Sequence, residues 1–207
     1  ILHDRMDAAL YSAQHKTGKL TWYLTGGTKR YNTNGQEKDT EANKMLKILA
    51  LLFTTTQAKN GRWSEPEPLG NTICTEDNEG SVAYDNKFKT IYFTRCVDDG
   101  GSNLACDIYY APIVGSQFGA SQPLYLVNRE EDDSTQVGHP ALSKDGKYLL
   151  FASDLAGGFG GKDIWLSMFD DKNETWGTPQ NLGSEINTPG DEMFPTFRSD
   201  GSLYFSS

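Results

Sequence analysis

The chain has 207 residues, a formal net charge of −9, and 37% hydrophobic residues, a size that suits one large all-β domain or two small ones. The acidic balance argues against nucleic acid as a partner. No apolar run is long enough for a direct membrane span. Three cysteines without a Cys-x-x-Cys pair, and three histidines, argue against a structural zinc site. No metal or other cofactor is expected.

The elements read in chain order as a repeat of about 55 residues. A first copy of its hairpin strand is Lys19-Leu-Thr-Trp-Tyr-Leu24. A polar insertion follows at 28–44, and Met45-Leu-Lys-Ile-Leu-Ala-Leu-Leu-Phe53 is read as a strand rather than a helix, because of its place in the repeat. Trp63 with Leu69 closes the unit. The second unit has an acidic loop at Glu76–Glu79, then Lys89-Thr-Ile-Tyr-Phe-Thr-Arg95, Asp107-Ile-Tyr109 and Phe118 with Leu124. The third repeats the order: Glu130–Asp133, Lys147-Tyr-Leu-Leu-Phe-Ala-Ser153, Asp163-Ile-Trp165, and Trp176 with Leu182. The fourth begins at Gly190-Asp-Glu192 and reaches Ser202-Leu-Tyr-Phe-Ser-Ser207. Asp145-Gly146 and Asp200-Gly201 stand between apolar runs, a strong hairpin signal.

Four short antiparallel strands per unit cannot bury both faces alone, but blades packed around an axis can. The expected fold is therefore an all-β propeller of four-stranded blades, with about three and a half present, at 7–70, 77–126, 133–184 and an incomplete 191–207. On that count the chain is expected to be a fragment of a longer one.

Several motifs invite chemistry. Ala156-Gly-Gly-Phe-Gly-Gly-Lys-Asp163 fails the phosphate-loop pattern at its first glycine and at its magnesium-binding hydroxyl, so it reads as a flexible hairpin loop. Asp171, Thr175 and Trp176 fit an Asp-box turn, although Phe169 and Asn173 depart from it. His139 lacks a nucleophile or acid partner in sequence and is expected to be a satisfied, partly buried residue. Asp107 and Asp163 recur at one repeat position, as do Trp63 and Trp176, and both pairs read as structural. Cys96 and Cys106 bracket a hairpin loop and are expected to form a disulfide, where the next unit offers an Asp154–Lys162 ion pair. Arg30, Glu79, Asp133, Phe159 and Glu192 fall on loops of one propeller end and are the candidate binding residues. No catalytic residue is expected.

Asp145-Gly-Lys-Tyr-Leu-Leu-Phe-Ala-Ser-Asp154, Gly157–Trp165, Trp176–Gly183 and Glu185–Phe197 resemble the WD40-like propeller repeat of periplasmic OmpA-family lipoproteins of the Bacteroidetes type. The resemblance implies a non-catalytic protein-binding scaffold, periplasmic and associated with the outer membrane. One branch of that family serves the type IX secretion machinery. Other envelope or secretion-system proteins would be its partners, and peptidoglycan would be reached only through a separate domain. TolB-like interaction propellers share the Asp-Gly-Lys strand and are the alternative. A glycosidase- or peptidase-associated propeller is a further one.

Overall fold

In the computed structural model the described residues are 10–14, 20–28, 49–85, 87, 89–98, 104–128 and 134–207. They form sixteen strands and, among the described residues, no helix. The first sheet joins β1 (Leu10–Gln14), β2 (Leu20–Thr28), β3 (Leu49–Thr56) and β4 (Glu67–Pro68) in chain order. The second joins β5 (Asn78–Asp85), β6 (Thr90–Asp98), β7 (Leu104–Val114) and β8 (Gln117–Phe118), with β9 (Gln122–Pro123) also on β7. The third repeats this with β10 (Val137–Leu142), β11 (Tyr148–Ser153), β12 (Asp163–Asp170) and β13 (Thr175–Trp176), and β14 (Gln180–Asn181) on β12. The last pair is β15 (Met193–Phe197) with β16 (Leu203–Ser206).

Every pairing is antiparallel and, apart from β7–β9 and β12–β14, joins strands consecutive in the chain; β5, β10 and β15 lie next to one another in turn. The fold is all-β and propeller-like. The stretch expected to be a strand near Met45–Phe53 is one from Leu49; 45–48 and the bulk of the insertion at 28–44 lie outside the described residues.

The apolar runs of the hairpin strands follow from burial on both faces. Ile91 and Phe93 pack toward the first sheet with Leu52, Ile73 and Val82. Tyr92, between them, points the other way, into a second cluster with Val137, Leu149, Phe151 and Trp165. Leu150 and Ala152 then face Ala141, Ile164, Met193, Phe197 and Leu203 on the far side. Successive side chains of a strand alternate between faces, so one five-residue run serves two cores. Each wholly buried Phe or Leu contributes roughly 1.5–3 kcal/mol.

The turns repeat as well. Gly146 and Gly201 adopt φ of 71° and 88°, a region glycine enters without steric cost. Asp145 and Asp200 accept the backbone N–H two residues on, from Lys147 at 3.2 Å and Ser202 at 2.9 Å. The Asp-box expectation needs correction. Asp170, not Asp171, holds that turn, accepting from Lys172 N at 2.9 Å and Asn173 Nδ2 at 2.7 Å. Asp171 lies instead 3.6 Å from both Lys87 and Lys147.

The glycine-rich loop is not the flexible element that its composition implies. Gly161 N donates to Gly190 O at 2.9 Å, and Lys162 N donates to Asp191 Oδ1 at 2.7 Å. A Cβ on Gly160 would run into the backbone of Thr188 and Pro189. The glycines here allow close approach between two repeats.

Candidate functional site

The first strands of the second, third and fourth units share one irregularity. Their registers shift between Gly80 and Val82, Gly138 and Ala141, and Met193 and Thr196. Ser81, His139 and Phe194 sit in these bulges with φ of 40°, 54° and 55°. Positive φ is uncommon for non-glycine residues, and for a bulky one such as Phe194 it is a strained outlier. Bulges re-aim side chains and concentrate near functional sites.

The outcome is a stack. The His139 and Phe194 rings lie 4.0 Å apart at 19°. Phe194 is 41% exposed, so its other surfaces reach solvent. His139 N donates to Thr94 Oγ1 at 2.8 Å, which fixes the bulge against β6. Its side chain is not satisfied as expected: Nδ1 is buried without a hydrogen-bond partner. Burial, and then the positive charge of Lys162, bring the imidazole pKa down to about 4. The ring is therefore neutral at pH 7.

Lys162 belongs to this neighbourhood through its backbone. Its carbonyl accepts from Glu192 N at 2.6 Å, two residues before Phe194. Its side chain is partly buried, and among the described residues no ion pair with a carboxylate is seen. The expected Asp154–Lys162 pair is absent because Asp154 turns to Gln136, accepting its N–H at 2.6 Å.

The acidic side chains expected on an open loop face are not open. Glu79 and Glu192 are both fully buried. Glu79 Oε1 accepts from Arg95 Nε at 3.0 Å, Thr75 N at 3.1 Å and Thr75 Oγ1 at 2.6 Å. Arg95 in turn donates to Ile73 O at 2.8 Å and lies 4.5 Å over the Tyr109 ring. Burial pushes the Glu79 carboxyl above its ordinary range, against the Thr75 hydrogen bonds and Arg95, which lower it. Glu192 accepts from Thr188 N at 2.8 Å, Thr188 Oγ1 at 2.5 Å and Ser207 Oγ at 2.8 Å. Burial raises this carboxyl too, but here the hydrogen bonds win and its pKa falls below the ordinary value. A carboxylate so held is a strut between loop and strand. Phe159 alone of the described candidates is exposed, at 50%. Arg30 and Asp133 lie outside the described residues.

The structural repeat residues divide. Asp163 is buried, accepting from Phe159 N at 2.6 Å and Asn181 Nδ2 at 2.8 Å. Asp107 stands opposite Arg95 in the β6–β7 register and is less buried. Trp176 meets Tyr92 and Phe169 edge-on at 6.1 and 5.1 Å, whereas Trp63 is 41% exposed beside Gln57. Cys96 and Cys106 face each other in register and are joined by a disulfide, while Cys74 is free and donates to Leu52 O. Sequence reasoning missed the stack and both struts. A signal for the struts was present in the recurrence of Thr-x-x-x-Glu at 75–79 and 188–192.

No family model matches the chain, and no curated protein matches it at a significant level. Among solved structures it is similar to an α-L-arabinanase from Penicillium chrysogenum, complexed with arabinobiose, at 12% identity and a TM-score of 0.49, over 93% of this chain and 49% of that one. It is also similar to a luciferin-regenerating enzyme, at 12% identity and a TM-score of 0.47, over 95% of this chain and 67% of that one. The chain thus spans about half the length of the arabinanase. Both neighbours are named as enzymes, against the expectation of a non-catalytic scaffold. At this identity the likeness concerns the fold, and neither activity is transferred.

Proposed function

We propose that the chain is a ligand-binding β-propeller-like domain whose site is the rim of bulged first strands at His139 and Phe194. The supporting observation is the stack itself: two strained aromatic residues, one ring exposed and one carrying a buried nitrogen without a partner. An exposed ring face takes a flat or apolar ligand surface. The Cys96–Cys106 bond supports an oxidising compartment, as in a bacterial envelope. The resemblance to envelope propellers points the same way.

The test is a titration of benzamide, a neutral flat probe, followed through the His139 ring resonances, which His139→Gln identifies among three histidines. Saturable shifts that vanish in Phe194→Ala are expected. Unmoved resonances, with Phe194→Ala merely lowering stability, would reduce the stack to a packing element.

A further inference from the structure

The supports beneath the stack lead back to the disulfide. The second unit holds the segment that enters the His139 bulge at two points. On β6, Thr94 Oγ1 accepts from His139 N at 2.8 Å. On β7, Cys106 N donates to Gln136 Oε1 at 3.2 Å. Between these points Gly138 packs on Thr94, where a Cβ would come within 3.0 Å of the threonine methyl carbon. Thr94 lies two residues before Cys96, and Cys96 faces Cys106 near the end of the β6–β7 hairpin. One support is thus two residues from the Cys96–Cys106 bond, and the other is the backbone of a bonded cysteine. Strand ends fray by local opening, and a covalent tie suppresses that opening. The matching end of the third unit carries Asp154 and Lys162, so of these two hairpin ends the one that supports His139 is covalently tied. Both cysteines are partly exposed, and Val97 and Ala105 beside them are exposed, which places the bond within reach of a small thiol.

We infer that the Cys96–Cys106 bond is a redox-sensitive clamp on the His139–Phe194 stack. Oxidised, it holds Thr94 and the Cys106 amide in place under the bulge. Reduced, it lets the hairpin end open, the bulge loses both anchors, and the rings part. Its bearing on function rests on the stack being a ligand site. A small dithiol breaks the sulfur–sulfur bond, supplying two electrons and two protons to give two thiols, and itself closes into a cyclic disulfide. Cys74 stands apart from this exchange, with its thiol donating to Leu52 O in the first sheet.

The experiment records the His139 ring resonances of the 207-residue chain before and after reduction with dithiothreitol. Phe194→Ala in the oxidised chain marks where those resonances lie without the stacked ring, now 4.0 Å away. Reduction should move them toward that position, and benzamide should bind about threefold more weakly as the competent fraction falls. Cys96→Ser with Cys106→Ser should match the reduced chain and ignore the reductant. Thr94→Val, which removes the hydroxyl and keeps the disulfide, should move the resonances the same way. His139 resonances unmoved by reduction overturn the inference. Global unfolding on reduction, seen by circular dichroism, overturns it as well, because the bond would then hold the whole fold rather than the stack. If the double variant does not fold, the reduced natural chain and Thr94→Val decide. If benzamide does not bind even the oxidised chain, the ligand-site reading fails, while the ring resonances still decide whether the clamp exists.

Discussion

The entrances to the second and fourth units hold an equivalent buried carboxylate in different ways. Each glutamate lies two residues before a bulge, Glu79 before Ser81 and Glu192 before Phe194, and each accepts from a threonine four residues earlier. The residue two beyond the strand aromatic then differs. Arg95 supplies a cation, and Ser207 supplies a hydroxyl. The third unit has Val137 and Ser153 at these places and no carboxylate at all. The repeat therefore does not require a charge at this position. A guanidinium brings strong attraction but adds its own desolvation, whereas hydroxyl and amide donors stabilise the anion at little cost of that kind. The opposite pKa directions have another cause: burial outweighs Thr75 and Arg95 at Glu79, whereas at Glu192 burial is outweighed by the hydrogen bonds from Thr188 and Ser207.

The largest effect should come from breaking the charged version. Arg95→Met leaves Glu79 buried and unpaired, and should cost about 3–5 kcal/mol in urea unfolding. A loss under about 1 kcal/mol would show that water replaces the guanidinium and that the two entrances are alike. Next in size is the disulfide beside it. Cys96→Ser with Cys106→Ser should cost about 2–3 kcal/mol by opening the ten-residue separation between them. An equal Tm with and without reductant in the intact chain would contradict this.

The third prediction concerns pH. Folding lowers the His139 pKa from 6.5 to about 4, so the unfolded chain binds more protons between those values. Stability should fall as the pH drops from 6.5 to 4, by about 2 kcal/mol after allowance for the ring's partial exposure. His139→Gln should flatten that slope, and an unchanged slope would assign it to other groups. The carboxylates add opposite signs. Glu79, raised, contributes stability below pH 4.5 that is lost as the pH rises; Glu192, lowered, contributes above 4.5 and is lost as the pH falls. Glu79→Gln and Glu192→Gln should therefore change the acid limb in opposite directions.

A smaller loss, about 1 kcal/mol, is expected for Glu192→Gln at pH 7, since the amide keeps some of the hydrogen bonds. The smallest is Lys147→Met. Its contact with Asp171 spans 3.6 Å between half-exposed side chains, and its removal should cost under about 0.5 kcal/mol. A cost as large as that of Arg95→Met would mean that the exposed pair, too, holds neighbouring units together.

Much of the framework was legible because it rests on short-range patterns. Asp145-Gly146 and Asp200-Gly201 announce their turns, and the runs around Phe93 and Phe151 announce strands buried on both faces. The facing of Cys96 and Cys106 followed from hairpin register. The candidate site was less legible for a physical reason. Glu79 finds Arg95 sixteen residues away, and His139 meets Phe194 across two units, so neither contact leaves a mark in local spacing. Positive φ at His139 and Phe194 is a tertiary outcome that no propensity announces. Acidic loop residues were read as exposed because isolated carboxylates usually are, and the Thr-x-x-x-Glu recurrence was the one clue that these two are not.

The tight seating of Gly160 against Thr188 and Pro189 has a consequence for how the molecule comes apart. Hydrogen bonds from Gly161 and Lys162 to Gly190 and Asp191 stitch the third unit to the fourth, and one from Cys106 N to Gln136 Oε1 stitches the second to the third, at 2.7–3.2 Å. Units joined this way do not open singly. Amide hydrogens of the third and fourth units should exchange at a common rate, as one cooperative block, and a single methyl group at position 160 should be enough to split that block in two.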